Sequence, residues 1–235
     1  MAATPVVCIP GTLCDGRIFQ AITQGLEVPV IHWRYHQFGE SMPCSEWAAD
    51  MLKHLPPRFA VMGFSLGGLL ALALSDIDPD RVAGLALVAS NAEAGRPAHR
   101  GQQHTLLKAW DEGGCAAVVA ELLPRYGLRN AEHSADIGDM ALQYSQQLFA
   151  QQLEFAANRP DRGEAWRRAS GPALIISGQR DTLCPSAVQA RLKELRPDAH
   201  WLDLADSGHF LLLDAPQPCR AALRQWAQAL NRCRP

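Results

Sequence analysis

Three side chains that can together turn a hydroxyl into a nucleophile lie far apart in the chain: Ser65, Asp181 and His209. A serine hydroxyl attacks poorly at neutral pH. It needs a base to take its proton and a third group to orient that base. Ser65 sits at the centre of Gly63-Phe64-Ser65-Leu66-Gly67. The apolar run 59–62 before it reads as a buried strand, and the small apolar stretch 68–75 after it reads as a buried helix. So short a passage from strand to helix holds its central residue in a strained backbone conformation. Gly63 and Gly67 give the room this needs, and Ser65 is pushed out above the sheet edge. The helix behind it presents unpaired N–H groups and the positive end of its dipole, which suit a substrate that develops negative charge.

The rest of the chain must supply the positions of the base and the acid. Apolar runs at 5–9, 28–33, 59–62, 84–90, 173–177 and 200–204 alternate with helical stretches. That alternation predicts a parallel sheet with helices on both faces. Functional groups then gather at the carboxyl ends of the strands. Asp181 follows the run 173–177 and His209 follows the run 200–204, in the chain order Ser, Asp, His. His32 and His36 could line the site, while His54, His99, His104, His133 and His200 read as surface or packed residues. Asp206 is the rival acid, but it lies only three residues before His209; Asp203 falls within a strand. The oxyanion requires two N–H donors. Leu66, after the nucleophile, is one; Thr12, in the loop Pro10-Gly11-Thr12 after the first strand, is the other.

Between 91 and 168 the rhythm changes, with no strand-like run and helical stretches at about 99–112, 115–123 and 134–158. We read 1–90 and 169–235 as the core and 91–168 as a helical cap over the sheet. Leu13, Phe64, Trp110, Tyr144, Leu148 and Phe210 are the expected pocket residues and point to an apolar or aromatic acyl group. Arg125 and Arg159 could meet a substrate carboxylate, although a solvated arginine is the plainer reading of each.

Composition narrows the classes. The chain has 235 residues, 48% of them hydrophobic, and a formal net charge of -2. No basic face is implied, so nucleic acid is not an expected partner. No apolar run is long enough to span a membrane, and the N-terminal residues do not read as a secretory signal. The seven cysteines, Cys8, Cys14, Cys44, Cys115, Cys184, Cys219 and Cys233, form no C-x-x-C pair. That spacing suggests free thiols in a cytoplasmic protein, with no metal site and no cofactor.

With these residues assembled, the chain resembles the α/β-hydrolase superfamily from Val6 to about Trp226. The matching motifs are Ile9-Pro10-Gly11-Thr12, the elbow around Ser65, Gly178-Gln179-Arg180-Asp181, and Ser207-Gly208-His209-Phe210. It looks most like small carboxylesterases with a helical cap, such as those that cleave methyl esters of acyl chains. The resemblance implies a three-layer α/β-hydrolase fold of about six mostly parallel strands. The usual leading antiparallel hairpin would be missing. It implies a Ser-His-Asp esterase acting on a small-molecule ester, as monomer or homodimer. Pro10 replaces the usual histidine before Gly11 and removes a side-chain anchor from that loop. A serine at the elbow argues against dehalogenases and epoxide hydrolases, which use aspartate there. Thioester cleavage, acyl transfer, C–C cleavage and non-catalytic ligand binding stay open as alternatives.

Overall fold

The computed structural model describes residues 3–128, 130 and 132–232; Cys233 lies outside them. In chain order the elements are β1 (Val6–Ile9), α1 (Arg17–Thr23), β2 (Val30–His32), α2 (Trp47–His54), β3 (Phe59–Phe64), α3 (Leu66–Ile77), β4 (Val82–Val88), α4 (Pro97–Leu122), α5 (His133–Ala141) and α6 (Gln146–Asn158). They continue with α7 (Gly163–Arg168), β5 (Ala173–Gly178), α8 (Ser186–Leu195), β6 (His200–Leu204), α9 (Leu211–Asp214) and α10 (Pro216–Arg232). The six strands form one sheet in the order β2-β1-β3-β4-β5-β6, and every pairing is parallel.

The sequence pattern explains the order of burial. β1, β3 and β4 are apolar throughout, β5 is apolar up to Ser177, and all four are buried at every position, as strands covered on both faces must be. The edge strands β2 and β6 are only partly buried. On one face α2, α3, α7 and α8 pack in succession; on the other, α1 and α9 pack with α10, which lies against β5. α3 is small and apolar all round, with Leu66 through Ser75 all buried, so it can sit directly on β1, β3 and β4. α10 instead buries one stripe, Cys219, Ala222, Leu223, Trp226, Ala227 and Leu230, at the spacing of an amphipathic helix.

Between β4 and β5 the described residues hold helices and no strand. α4 packs against α5 and α6, whereas α7 joins the layer of α3 and α8. The stretches expected at 99–112 and 115–123 are the two arms of α4, separated where Gly113 and Gly114 leave helical geometry. One helix differs from the sequence reading. The long helix expected at 134–158 is two, because the chain turns at Leu142–Ser145 and restarts with the Ser145 hydroxyl accepting the Leu148 N–H at 3.2 Å. Among the described residues no helix is long and apolar enough to cross a membrane.

Candidate active site

Ser65 leads from β3 into α3 with φ 51° and ψ -116°, a positive-φ conformation that costs a non-glycine residue energy. Close packing enforces it. A Cβ on Gly63 would lie 2.2 Å from the Gly67 carbonyl oxygen, and one on Gly67 would lie 2.0 Å from that of Ile9. The Ser90 hydroxyl, just after β4, donates to the Ser65 carbonyl at 2.8 Å. Among the described residues the non-glycine positions with positive φ are Leu13, Ser65 and Ala89. Ser65 and Ala89 line the same cavity, and Leu13 follows another of its lining residues, Thr12.

The loops after β5 and β6 bring Asp181 and His209 to Ser65. His209 Nε2 lies 2.9 Å from Ser65 Oγ, and its Nδ1 lies 2.8 Å from Asp181 Oδ2. Asp181 is 3% and His209 4% exposed. The second carboxylate oxygen, Oδ1, accepts the N–H groups of Leu183 and Cys184, each at 2.9 Å, so the acid loop is closed around its own side chain. The rival Asp206 pairs with Arg180 at 2.8 Å on the surface. Asp203 instead accepts from the hydroxyls of Ser177 and Ser186.

Sequence reasoning missed the segment that holds these two loops. The Tyr126 carbonyl accepts the His209 N–H at 2.7 Å, and the Arg125 carbonyl accepts the Thr182 hydroxyl at 2.7 Å. Only glycine fits at Gly208, since a Cβ there would meet the Tyr126 oxygen at 2.1 Å. The Tyr126 ring also stacks on the imidazole, 6.0 Å between centroids. No local pattern marks this segment.

Gln152 of α6 was missed as well. It is fully buried, and its Oε1 accepts the Leu13 N–H at 3.1 Å. Tyr144 Oη donates to the Cys14 carbonyl, and Tyr35 Oη donates to the Pro10 carbonyl at 3.0 Å. These three side chains anchor the loop that Pro10 leaves without its usual histidine.

A cavity of about 380 Å³ opens above Ser65, and Thr12, Phe64, Leu66, His209 and Phe210 line it. Leu66 is the first residue of α3, so its N–H belongs to the helix turn that lacks an intrahelical acceptor. Four expected pocket residues lie elsewhere. Leu13 turns into the core beneath the loop, Leu148 is buried, and Trp110 stacks on Phe149 at 5.2 Å. Tyr144 faces a separate open cleft of about 760 Å³ with His32 and His36, which holds no serine or cysteine. The cavity wall instead takes Leu106 and Leu122 from α4 and Leu153 from α6, along with Arg125, Arg159 and His99. Cys184 also lines it, its thiol pushed up to about 12 by burial and by the neighbouring Asp181 charge. Among the described residues no group of three or more His, Cys, Asp or Glu is placed to hold a metal ion.

The sequence profile of the alpha/beta hydrolase family matches residues 6–222. The chain belongs to that family. A pimeloyl-[acyl-carrier protein] methyl ester esterase from Aromatoleum aromaticum is 28% identical over 193 residues, 74% of this chain and 75% of the relative. Among solved structures, a thermophilic esterase from Thermogutta terrifontis superposes with a TM-score of 0.86 at 24% identity, covering 97% of this chain and 91% of the other. An enol-lactonase from Burkholderia xenovorans LB400 gives 0.82 at 21% identity, covering 97% and 92%. At these identities the two structures speak for the fold alone. Family membership together with an esterase relative supports a hydrolase.

Proposed function

We propose that the chain is a serine hydrolase that cleaves a carboxylic ester of a small or medium acyl group through an acyl-enzyme. The observation that carries this reading is the unbroken chain of contacts from Ser65 Oγ to His209 Nε2 at 2.9 Å and from Nδ1 to Asp181 at 2.8 Å, on the floor of a cavity. Asp181 accepts a hydrogen bond from Nδ1–H, which keeps the proton on Nδ1 and leaves Nε2 as the base. His209 takes the Ser65 proton as Oγ attacks the acyl carbonyl. The N–H groups of Leu66 and Thr12 receive the oxyanion. His209 then passes the proton to the leaving alcohol, and the same base activates a water that releases the acid. In this reading α4, α5 and α6 form a cap whose apolar side chains shape the acyl pocket. The methyl ester esterase relative supports an ester as the bond cleaved.

A p-nitrophenyl ester series of increasing acyl length, with matched thioesters, tests this. Wild-type enzyme should turn over short and medium esters with an optimum set by the cavity. Ser65→Ala should lose that turnover, and retained turnover in an esterase-free preparation would refute the proposal. A preference for the thioesters would change the leaving group but keep the triad.

A further inference from the structure

We propose that this cavity takes a substrate bearing a carboxylate, and that Arg159 is the group that receives it; this rests on the reading of Ser65 as the nucleophile.

The lining is one-sided in charge. Its charged side chains are Arg125 and Arg159, with no aspartate or glutamate among the lining residues, and His99 and His209 add imidazoles. Asn91, Gln102 and Gln103 add amide donors. Much of the remaining wall is apolar, so the cavity offers a hydrophobic path with cationic and N–H groups along it. A site walled in this way selects an anion by potential.

Arg159 is built in rather than loose. Its Nε donates to the Glu93 carbonyl at 2.8 Å and its Nη1 to the Ala156 carbonyl at 2.5 Å. Both acceptors are backbone oxygens. Among the described residues no carboxylate lies within 4.0 Å of the guanidinium, and the Glu93 carboxylate is instead paired with Arg96. Nη2 has no protein partner among them. A partly buried guanidinium whose hydrogen bonds go to backbone oxygens, with Glu93 acting on it only at longer range, carries a desolvation cost that an arriving carboxylate offsets, and its planar fork suits that carboxylate.

His99 supports the same end. Its Nδ1 accepts the Arg96 N–H at 2.8 Å, so the neutral ring carries its proton on Nε2 as a donor. Burial, followed by the Arg159 and Arg96 charges, holds it below the usual histidine range. At about 380 Å³ the cavity is at the small end of ligand sites. Ser65 and Arg159 both line it, so one small substrate can present an ester to the first and a carboxylate to the second. The substrate class is therefore an ester of a small dicarboxylic acid, or an ester whose alcohol part carries the acid.

Two matched pairs separate those forms. Mono-p-nitrophenyl glutarate is compared with p-nitrophenyl 5-methylhexanoate, and 4-(carboxymethyl)phenyl butyrate with 4-ethylphenyl butyrate. In low salt, kcat/KM should favour the anionic member of one pair by on the order of 10- to 100-fold. Arg159→Gln should erase that preference, and Arg159→Lys, which keeps the charge but not the planar fork, should retain part of it. Equal or lower activity on both anionic esters in wild type would overturn the proposal. So would an Arg159→Gln enzyme that loses all four substrates together, which is the mark of a purely structural clamp.

Labelling of Ser65 by a fluorophosphonate is followed on the same preparations. A labelled enzyme that prefers neutral esters overturns the carboxylate site alone. An enzyme that is neither labelled nor active fails the hydrolase reading beneath it. Calorimetric binding of glutarate then decides the subsite: binding by wild type that is lost in Arg159→Gln supports it, and no binding by wild type overturns it. Should Arg159→Gln fail to fold, wild-type selectivity and the Lys variant decide between the two outcomes.

Discussion

Gln152→Leu is the most informative substitution on α6. The two side chains have similar bulk, so the change removes polar contact more than packing. It deletes the acceptor of the Leu13 N–H, a bond of 3.1 Å in the interior. Leaving that N–H buried and unpaired costs about 1–3 kcal/mol. For a chain of this size each kcal/mol lowers Tm by about 2–4 °C, so the melting point should fall by roughly 2–12 °C. The effect on turnover is separate. Leu13 is held at φ 56°, a conformation it adopts only under constraint, and Thr12 immediately precedes it. When the constraint goes, the loop relaxes and the Thr12 N–H loses the position required by the oxyanion role proposed for it. Complete loss of one such donor costs about 10²–10³ in kcat, so partial relaxation predicts a drop of about 10- to 100-fold with KM little changed. The assay is steady-state hydrolysis of the best p-nitrophenyl ester beside thermal unfolding. A folded Gln152→Leu enzyme with wild-type kcat would refute the positioning argument whatever its Tm.

Gly67→Ala places a methyl 2.0 Å from the Ile9 carbonyl oxygen, against backbone that cannot swing aside. It should cost about 3 kcal/mol or more, read as a large fall in Tm or loss of folded protein. Asp181→Asn keeps an oxygen for the Leu183 and Cys184 N–H groups but no longer holds the Nδ1 proton. It should fold normally and lose about 10³–10⁴ in kcat, and near-normal kcat would remove Asp181 from the mechanism. Burial and the Asp181 charge hold the Cys184 thiol up to about 12, so it carries little thiolate at pH 8. Iodoacetamide at that pH should leave Cys184 unmodified in peptide mapping of native protein, and its rapid alkylation would show that the burial is wrong.

The sheet was legible because its central strands are continuous apolar runs, and an element buried on both faces leaves no alternative pattern. The turn at Ser65 was legible because two glycines at fixed spacing answer a steric need that is local. Asp181 and His209 followed from topology, since each stands just beyond the end of a strand. What escaped was set by contacts between distant segments. Tyr126 and Arg125 act through carbonyl oxygens, which any residue could supply. Gln152 is one of several glutamines on α6, and only the packing of that helix separates it from its exposed neighbours. Trp110, Tyr144 and Leu148 share a helical apolar pattern with the true cavity residues Leu106 and Leu153, and periodicity cannot tell which apolar side chain faces ligand and which faces another helix. His99 looks like an ordinary surface residue in the sequence, and Arg159 was open to two readings, a carboxylate partner or a solvated side chain.

The most direct test of the central claim is intact-protein mass spectrometry after exposure to a fluorophosphonate, on wild type, Ser65→Ala and His209→Ala. The account predicts one adduct on wild type, mapped to Ser65, absent from Ser65→Ala and greatly slowed in His209→Ala. An adduct that persists in Ser65→Ala, or a well-folded wild type that takes none, would contradict it.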